Sequence, residues 1–366
     1  MAEFVLFYPV YAVYFTTTGL SAGEVSSLFA IWSAAGFLLE IPSSVWADRF
    51  SRRRLLVLAP LLSAAGFALW TFVPSYGAFA AGFVLWGAAS AMQSGTLQAL
   101  VYEELGRLGR ADGYARVIGR SEALASVAAV VAALVAAPVL AAGGYPAIGL
   151  ASVAAGVVGA GAGLLLPESR GADRGGGSYL SVVRAGVTEV RRAPSVRRVL
   201  VILSVVTGMT AVDEYLPFLA VAGGAAAPVV AVLVALVIAG IAAGGWLAGY
   251  GARLLPVVLG VGALALGGGA AGTQVALWPA FVVVALAFAA FSWAVAVLDA
   301  RLQDLIGDEA RATVTSMAGL GSEVVALGVF ALYGVGSGWV VPWVLVGLAA
   351  VPYLVMAVAA AGDRPM

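Results

Sequence analysis

Every cationic side chain of this 366-residue chain is an arginine, and the 19 of them gather in short clusters separated by pairs of long apolar stretches. The clusters are Arg49 to Arg54, Arg107 to Arg120, Arg170 to Arg198, Arg253, Arg301 to Arg311, and Arg364 at the tail. If each pair of apolar stretches is a helical hairpin through a bilayer, every cluster emerges on one face, which the positive-inside rule makes cytoplasmic. The opposite face then carries no positive charge. A soluble protein would scatter its cations over its whole surface, so the spacing itself predicts a polytopic membrane protein. Composition agrees: 62% of the residues are hydrophobic, 10% are charged, and the mean hydropathy is +1.03, outside the range of ordinary soluble domains.

A hydrocarbon core about 30 Å thick takes roughly 20 apolar residues per helix. Scanning at that length predicts an all-α protein with twelve transmembrane helices in two pseudo-symmetric six-helix bundles. The first six spans are Ala2 to Gly19, Val25 to Trp46, Leu55 to Val73, Tyr76 to Tyr102, Gly119 to Ala142, and Pro146 to Leu166. The second six are Val199 to Ala222, Pro228 to Tyr250, Leu254 to Gly272, Leu277 to Leu298, Thr313 to Val335, and Val340 to Ala361. An even number of crossings puts both termini in the cytoplasm, in a multi-pass protein of the cell's inner membrane. Met1 to Gly19 lacks a basic start and a small-residue cleavage site, so a cleaved signal peptide is not expected.

Three regions follow: a bundle over residues 1–169, a cytoplasmic linker over 170–197, and a second bundle over 198–366. The linker opens with Gly171, Gly175, Gly176 and Gly177. From Tyr179, the apolar Tyr179, Val183, Val187 and Val190 recur at helical spacing among Arg184, Glu189, Arg191 and Arg192. That pattern suits an amphipathic helix on the membrane surface, with a charged, partly ordered linker as the alternative. The bundles also repeat, since one fixed offset lays Ala47 on Ala248 and Arg52 on Arg253. Paired six-helix repeats are the expected build of a rocking transporter.

The chain has no cysteine and no histidine. Disulfides, thiolate metal sites, histidine ligands and catalysis by a Cys or a Ser/His pair are excluded, so no cofactor, no metal and no enzymatic activity are expected. The net charge is zero and the arginines hug helix ends, which leaves no extended basic surface for nucleic acid.

The stretch Ser44 to Arg54 resembles the signature of the major facilitator superfamily, GxxxDRxGRR, between the second and third helices. Asp48, Arg49, Arg52 and Arg53 match it, while Ser44 and Ser51 stand where glycine is usual. Leu39 Glu40 Ile41 Pro42 is similar to the lead-in of many bacterial members. Gln93 Ser94 Gly95, Tyr102 Glu103, Tyr114 Ala115 Arg116 and Gly119 Arg120 extend the likeness, and the drug-efflux branch is the one suggested. Pro167 Glu168 Ser169 Arg170 resembles a sugar-porter motif. Two departures bear on direction: no arginine occupies Phe83 to Gly87 on the fourth helix, and the antiporter signature of the fifth survives only as Ala137 Pro138 Val139 Leu140 Ala141 Ala142. The resemblance implies that the Ser44–Arg53 motif closes the cytoplasmic side in the outward-facing state, and the same charges also fix topology.

Asp213 and Glu214 fall near the middle of the seventh span and Glu323 near the middle of the eleventh, where an ionised side chain costs at least about 2.5 to 3.5 kcal/mol. With no arginine inside a span, protonation, a watered cavity or a cationic substrate remain to stabilise them. Glu40 is a weaker candidate, because an acid beside Pro42 can also satisfy freed backbone groups. The superfamily's cavity-lining helices hold Tyr11 and Tyr14 on the first, Trp86 and Gln93 on the fourth, Tyr215 on the seventh and Trp293 on the tenth. They would suit flat hydrophobic or cationic molecules, although aromatics also fill helix interfaces and anchor at headgroups. The expected function is proton-coupled efflux of a small hydrophobic neutral or cationic solute by a monomer in the lipid bilayer. Proton-linked uptake of a neutral solute such as a sugar is one rival, and a non-transporting sensor or assembly protein is another.

Overall fold

The computed structural model describes residues 3–49, 51–168, 190, 193–307 and 311–362. The linker's amphipathic pattern lies outside them, save Val190. The described chain is helical nearly throughout and divides into two compact units, the first ending in the middle of the chain and also taking Ala226–Ala235. Among the described residues, nine helical stretches are long and apolar enough to cross a membrane. The longest holds two expected spans, and the first and fourth expected spans are present as shorter helices. This is consistent with twelve crossings.

In the first unit the helices are α1 (Tyr11–Thr17), α2 (Ala22–Arg49), α3 (Arg52–Phe72), α4 (Tyr76–Gln93), α5 (Thr96–Arg107) and α6 (Tyr114–Leu164). The first span is helical only from Tyr11, because Pro9 lacks a donor and restricts the residue before it. The preceding chain turns instead, and the Phe7 N–H finds the Ser152 hydroxyl of α6 at 3.1 Å. α2 begins three residues before its apolar run because Ser21 and Glu24 form a capping box: Ser21 Oγ accepts from the Glu24 N–H at 3.2 Å, and Glu24 Oε2 accepts from the Ser21 N–H at 2.8 Å.

The expected fourth span breaks into α4 and α5 at Gly95, whose φ of +67° suits glycine alone. Gly144 (φ 63°, ψ −165°) likewise divides α6 into the fifth and sixth spans. The second half of α6 lays glycines at seven-residue spacing on α3. A Cβ at Gly149 would collide with Thr71, one at Gly156 would stand 2.9 Å from the Pro60 carbonyl, and one at Gly163 would stand 3.2 Å from the Leu56 carbonyl. Close backbone approach replaces the hydrophobic effect as the source of helix association in lipid.

The second unit contains α7 (Pro194–Met209), a 3₁₀ turn (Thr210–Tyr215), α8 (Leu216–Ala222), the part of α9 (Ala227–Leu247) from Leu236 on, α10 (Leu255–Gly272), α11 (Leu277–Leu305), α12 (Arg311–Gly336), α13 (Pro342–Leu348) and α14 (Ala350–Ala361). The interrupted seventh span has a local cause. Pro217 cannot donate to the Asp213 carbonyl, and its ring crowds that carbonyl, so the preceding turn tightens to 3₁₀. Pro352 acts in the same way on Leu348, where α13 gives way to α14 at Ala349.

Candidate functional site

The arginine-bearing loop of the first unit is held by carboxylates. Ser51 caps α3, its Oγ accepting from the Arg54 N–H at 3.1 Å. The same hydroxyl donates to Glu168 Oε2 at the end of α6, and Glu168 Oε1 accepts from the Arg53 N–H at 3.4 Å. An anion thus sits at the N-terminus of α3, where the helix dipole favours it. Beside it, Arg52 Nη1 pairs with Glu103 Oε1 of α5 at 2.6 Å, both side chains partly exposed. Arg107 pairs more loosely with Glu104, at 3.7 Å. Glu103 and Glu168 were both present in the family-like motifs, but nothing in the sequence tied them to Arg52 and Ser51. The side chains of Glu40, Ser44, Asp48 and Arg49 lie outside the described residues.

The corresponding loop of the second unit is held through its carbonyls. The Trp293 indole N–H donates to Leu247 O and Tyr250 O, each at 3.1 Å. Arg301 Nη2 donates to Ala252 O at 2.5 Å. Both donors come from α11. Gln303 of the same helix donates to Thr315 of α12 at 3.2 Å.

Of the intramembrane acids, Asp213 and Glu214 occupy the 3₁₀ turn before Pro217, and Glu323 lies within α12. Glu214 is buried, and Asp213 and Glu323 are half-buried. Tyr215 is fully buried, its ring stacked on Tyr333 of α12 with centroids 3.5 Å apart at 12°. On α14, the fully buried Tyr353 stacks on Phe291 with centroids 3.6 Å apart at 2°.

In the first unit Tyr11 is buried among Phe15, Phe29, Trp70, Phe83 and Trp86. Tyr14 is buried beside Tyr145 and donates its hydroxyl to Trp70 O at 2.9 Å. The Trp70 indole N–H in turn donates to Phe79 O at 3.1 Å. Helix packing therefore accounts for Tyr11, Tyr14, Tyr215 and Trp293 within their own units. Trp86 and Gln93 remain half-buried, Trp86 with its ring 5.6 Å from that of Trp32.

Two helical units of this kind, with acids set into a broken span and arginines confined to loop ends, define a polytopic membrane protein of transporter build. The model for the Major Facilitator Superfamily matches residues 1–328, and the chain belongs to that family. No curated protein sequence matches it. Among solved structures, a bacterial homolog of the human lysosomal transporter Spinster, in an inward-facing and unoccupied conformation, is 17% identical with a TM-score of 0.72, covering 100% of this chain and 95% of that one. The nucleoside transporter NupG is 12% identical with a TM-score of 0.73, covering 100% and 97%. A D-xylose–proton symporter is 15% identical with a TM-score of 0.67, covering 98% and 92%. At these identities the likeness is one of fold.

Proposed function

We propose that the protein is a secondary active transporter that moves a small hydrophobic neutral or cationic solute by alternating access, with efflux driven by protons. The observation that carries this reading is the placement of Asp213 and Glu214 on a proline-forced turn within a span, with Glu323 on α12 of the same unit. A carboxyl group at such depth favours protonation or a cationic neighbour over lone ionisation. Loading a proton from one side and releasing it to the other couples the gradient to the conformational equilibrium, because the charged and neutral forms favour different states. The aromatic first unit, with Trp32 and Trp86 half-buried, supports a flat or cationic solute. The signature residues Ser44, Asp48, Arg49, Arg52 and Arg53 act in this reading as the gate on the cytoplasmic face, where both termini also lie, with residues 170–197 joining the bundles 1–169 and 198–366. The protein works as a monomer in the inner membrane.

Uptake of a neutral solute is the second reading, favoured by the likeness to a D-xylose–proton symporter. Dye and drug flux in everted vesicles under an imposed pH gradient separates the two by its direction. Asp213→Asn, Glu214→Gln and Glu323→Gln are compared with the parent at equal insertion. Loss of gradient-driven flux in at least one variant is expected, and full flux in all three refutes proton coupling through these acids.

A further inference from the structure

The loop after α9 turns its carbonyls inward and its largest side chains outward. Leu247 O and Tyr250 O accept from the Trp293 indole, and Ala252 O accepts from Arg301, both donors standing on α11. With its backbone pinned from behind, the loop presents Trp246, 82% exposed, and Tyr250, 77% exposed. Arg253 is exposed beside them. In the repeat it corresponds to Arg52, whose guanidinium is taken by Glu103. Arg253 has no such relief: among the described residues its side chain forms no ion pair and no hydrogen bond. Asp304, which stands where the repeat places Glu103, is exposed and pairs with no arginine among the described residues, and Asp299 accepts from Gln303 instead.

From the arginine the exposed surface continues as hydrocarbon. Leu254, Val257, Val261 and Leu264 recur at helical spacing on and just before α10, each more than half exposed, while Leu255, Leu259, Gly262, Ala263 and Leu266 turn into the bundle. The stripe runs about 15 Å along the helix, half of a hydrocarbon core about 30 Å thick. It has the length of one leaflet. A guanidinium at its loop end, flanked by an indole and a phenol of the kind that settle among headgroups, complements a negative charge at the level of the lipid phosphate. An acidic protein would answer the charge but not the apolar column that continues from it.

We propose that Trp246, Tyr250 and Arg253 form the headgroup seat of an anionic phospholipid, with an acyl chain lying along the α10 stripe. The phosphate takes the Arg253 guanidinium, and the bonds from Trp293 and Arg301 keep the seat in shape. The inference goes beyond the transport reading and rests only on its placement of the arginine loops at the cytoplasmic face of the membrane. It needs neither proton coupling nor a direction of flux.

The chain has no cysteine, so Gly249→Cys gives a unique labelling site, and a Cβ at that exposed glycine meets nothing within 4 Å. A fluorophore that bromine quenches is attached there in the full-length protein. The protein is held in phosphatidylcholine vesicles carrying the same small fraction of either brominated phosphatidylglycerol or brominated phosphatidylcholine. The anionic lipid should be enriched at the label about fivefold over the neutral one, the size that one arginine supplies at a membrane surface. Arg253→Lys should keep the preference and Arg253→Gln should erase most of it. Arg110→Gln, at an equally exposed arginine of the first unit, should leave it intact. Equal quenching by the two lipids in the parent, a preference that survives Arg253→Gln, or an equal loss in Arg110→Gln overturns the seat. Displacement by millimolar inorganic phosphate, but not by chloride of the same ionic strength, also overturns it, because the loop would then bind phosphate without the lipid. None of these measurements involves flux, so the seat and the transport reading fail separately.

Discussion

The two arginine-bearing loops occupy equivalent places in the repeat, yet they are fastened by inverse chemistry. After α2, the loop offers guanidinium, hydroxyl and amide N–H groups, and the carboxylates of Glu103 and Glu168 receive them. After α9, the loop offers carbonyl oxygens, and the indole N–H of Trp293 and the guanidinium of Arg301 supply the donors. The offset that lays Arg52 on Arg253 lays Glu103 on Asp304, three residues past Arg301 on α11, so the supporting helix has kept its place while a neighbouring residue of opposite charge makes the bond. The repeat therefore preserves where a loop is held and leaves open which side of the hydrogen bond the loop provides. A fastening through carboxylates depends on charge. One through carbonyls depends on the exact position of two side chains.

The sharpest way to break this comparison is Glu168→Ala. Without that carboxylate the Ser51 hydroxyl and the Arg53 amide lose a charged acceptor, and amide exchange at Arg53 and Arg54 should quicken about ten- to a hundredfold, equivalent to roughly 1.5–3 kcal/mol of local opening. Exchange at Tyr250 to Arg253 should stay as in the parent, and a matching rise there would join two loops that we treat as independent. Trp293→Phe keeps the ring and deletes its N–H. It should open the second loop by about 1 kcal/mol, measured by the same exchange at Ala248 to Ala252, and leave Ser51 to Arg54 unchanged. The smallest effect belongs to the ion pair. Raising ionic strength should speed exchange near Arg52 by a few tenths of a kcal/mol, since a partly exposed pair is screened, while the loop held by Trp293 shows no salt dependence.

Much of the architecture was legible because lipid imposes it: long apolar runs, arginines at one set of ends, and proline and glycine marking the breaks. Where the expected spans were too long, the reason is local. Pro9 shortens the first helix, Gly95 divides the fourth, and Pro217 loosens the seventh ahead of itself, each visible in the sequence. The loop partners were harder to see. Glu103 and Glu168 stand far along the chain from Arg52 and Ser51, and charge alone does not say which carboxylate a guanidinium meets. Helix rotation was the least legible quantity. α9 and α10 are apolar on every side, so no polar face announces which way they turn. The superfamily's helix order puts Trp293 on a cavity-lining helix, and only the folded chain shows its N–H committed to two carbonyls.

The bond from the Phe7 amide to the Ser152 hydroxyl bears on how the protein is made. An amide N–H beside the proline-broken start of the first span has no acceptor of its own in hydrocarbon, and its partner is translated 145 residues later. At ordinary elongation rates that is a delay on the order of ten seconds. Through that interval the segment around Phe7 has to linger beside the insertion machinery or in the aqueous interface, so it settles only after the sixth span arrives with the hydroxyl it lacks.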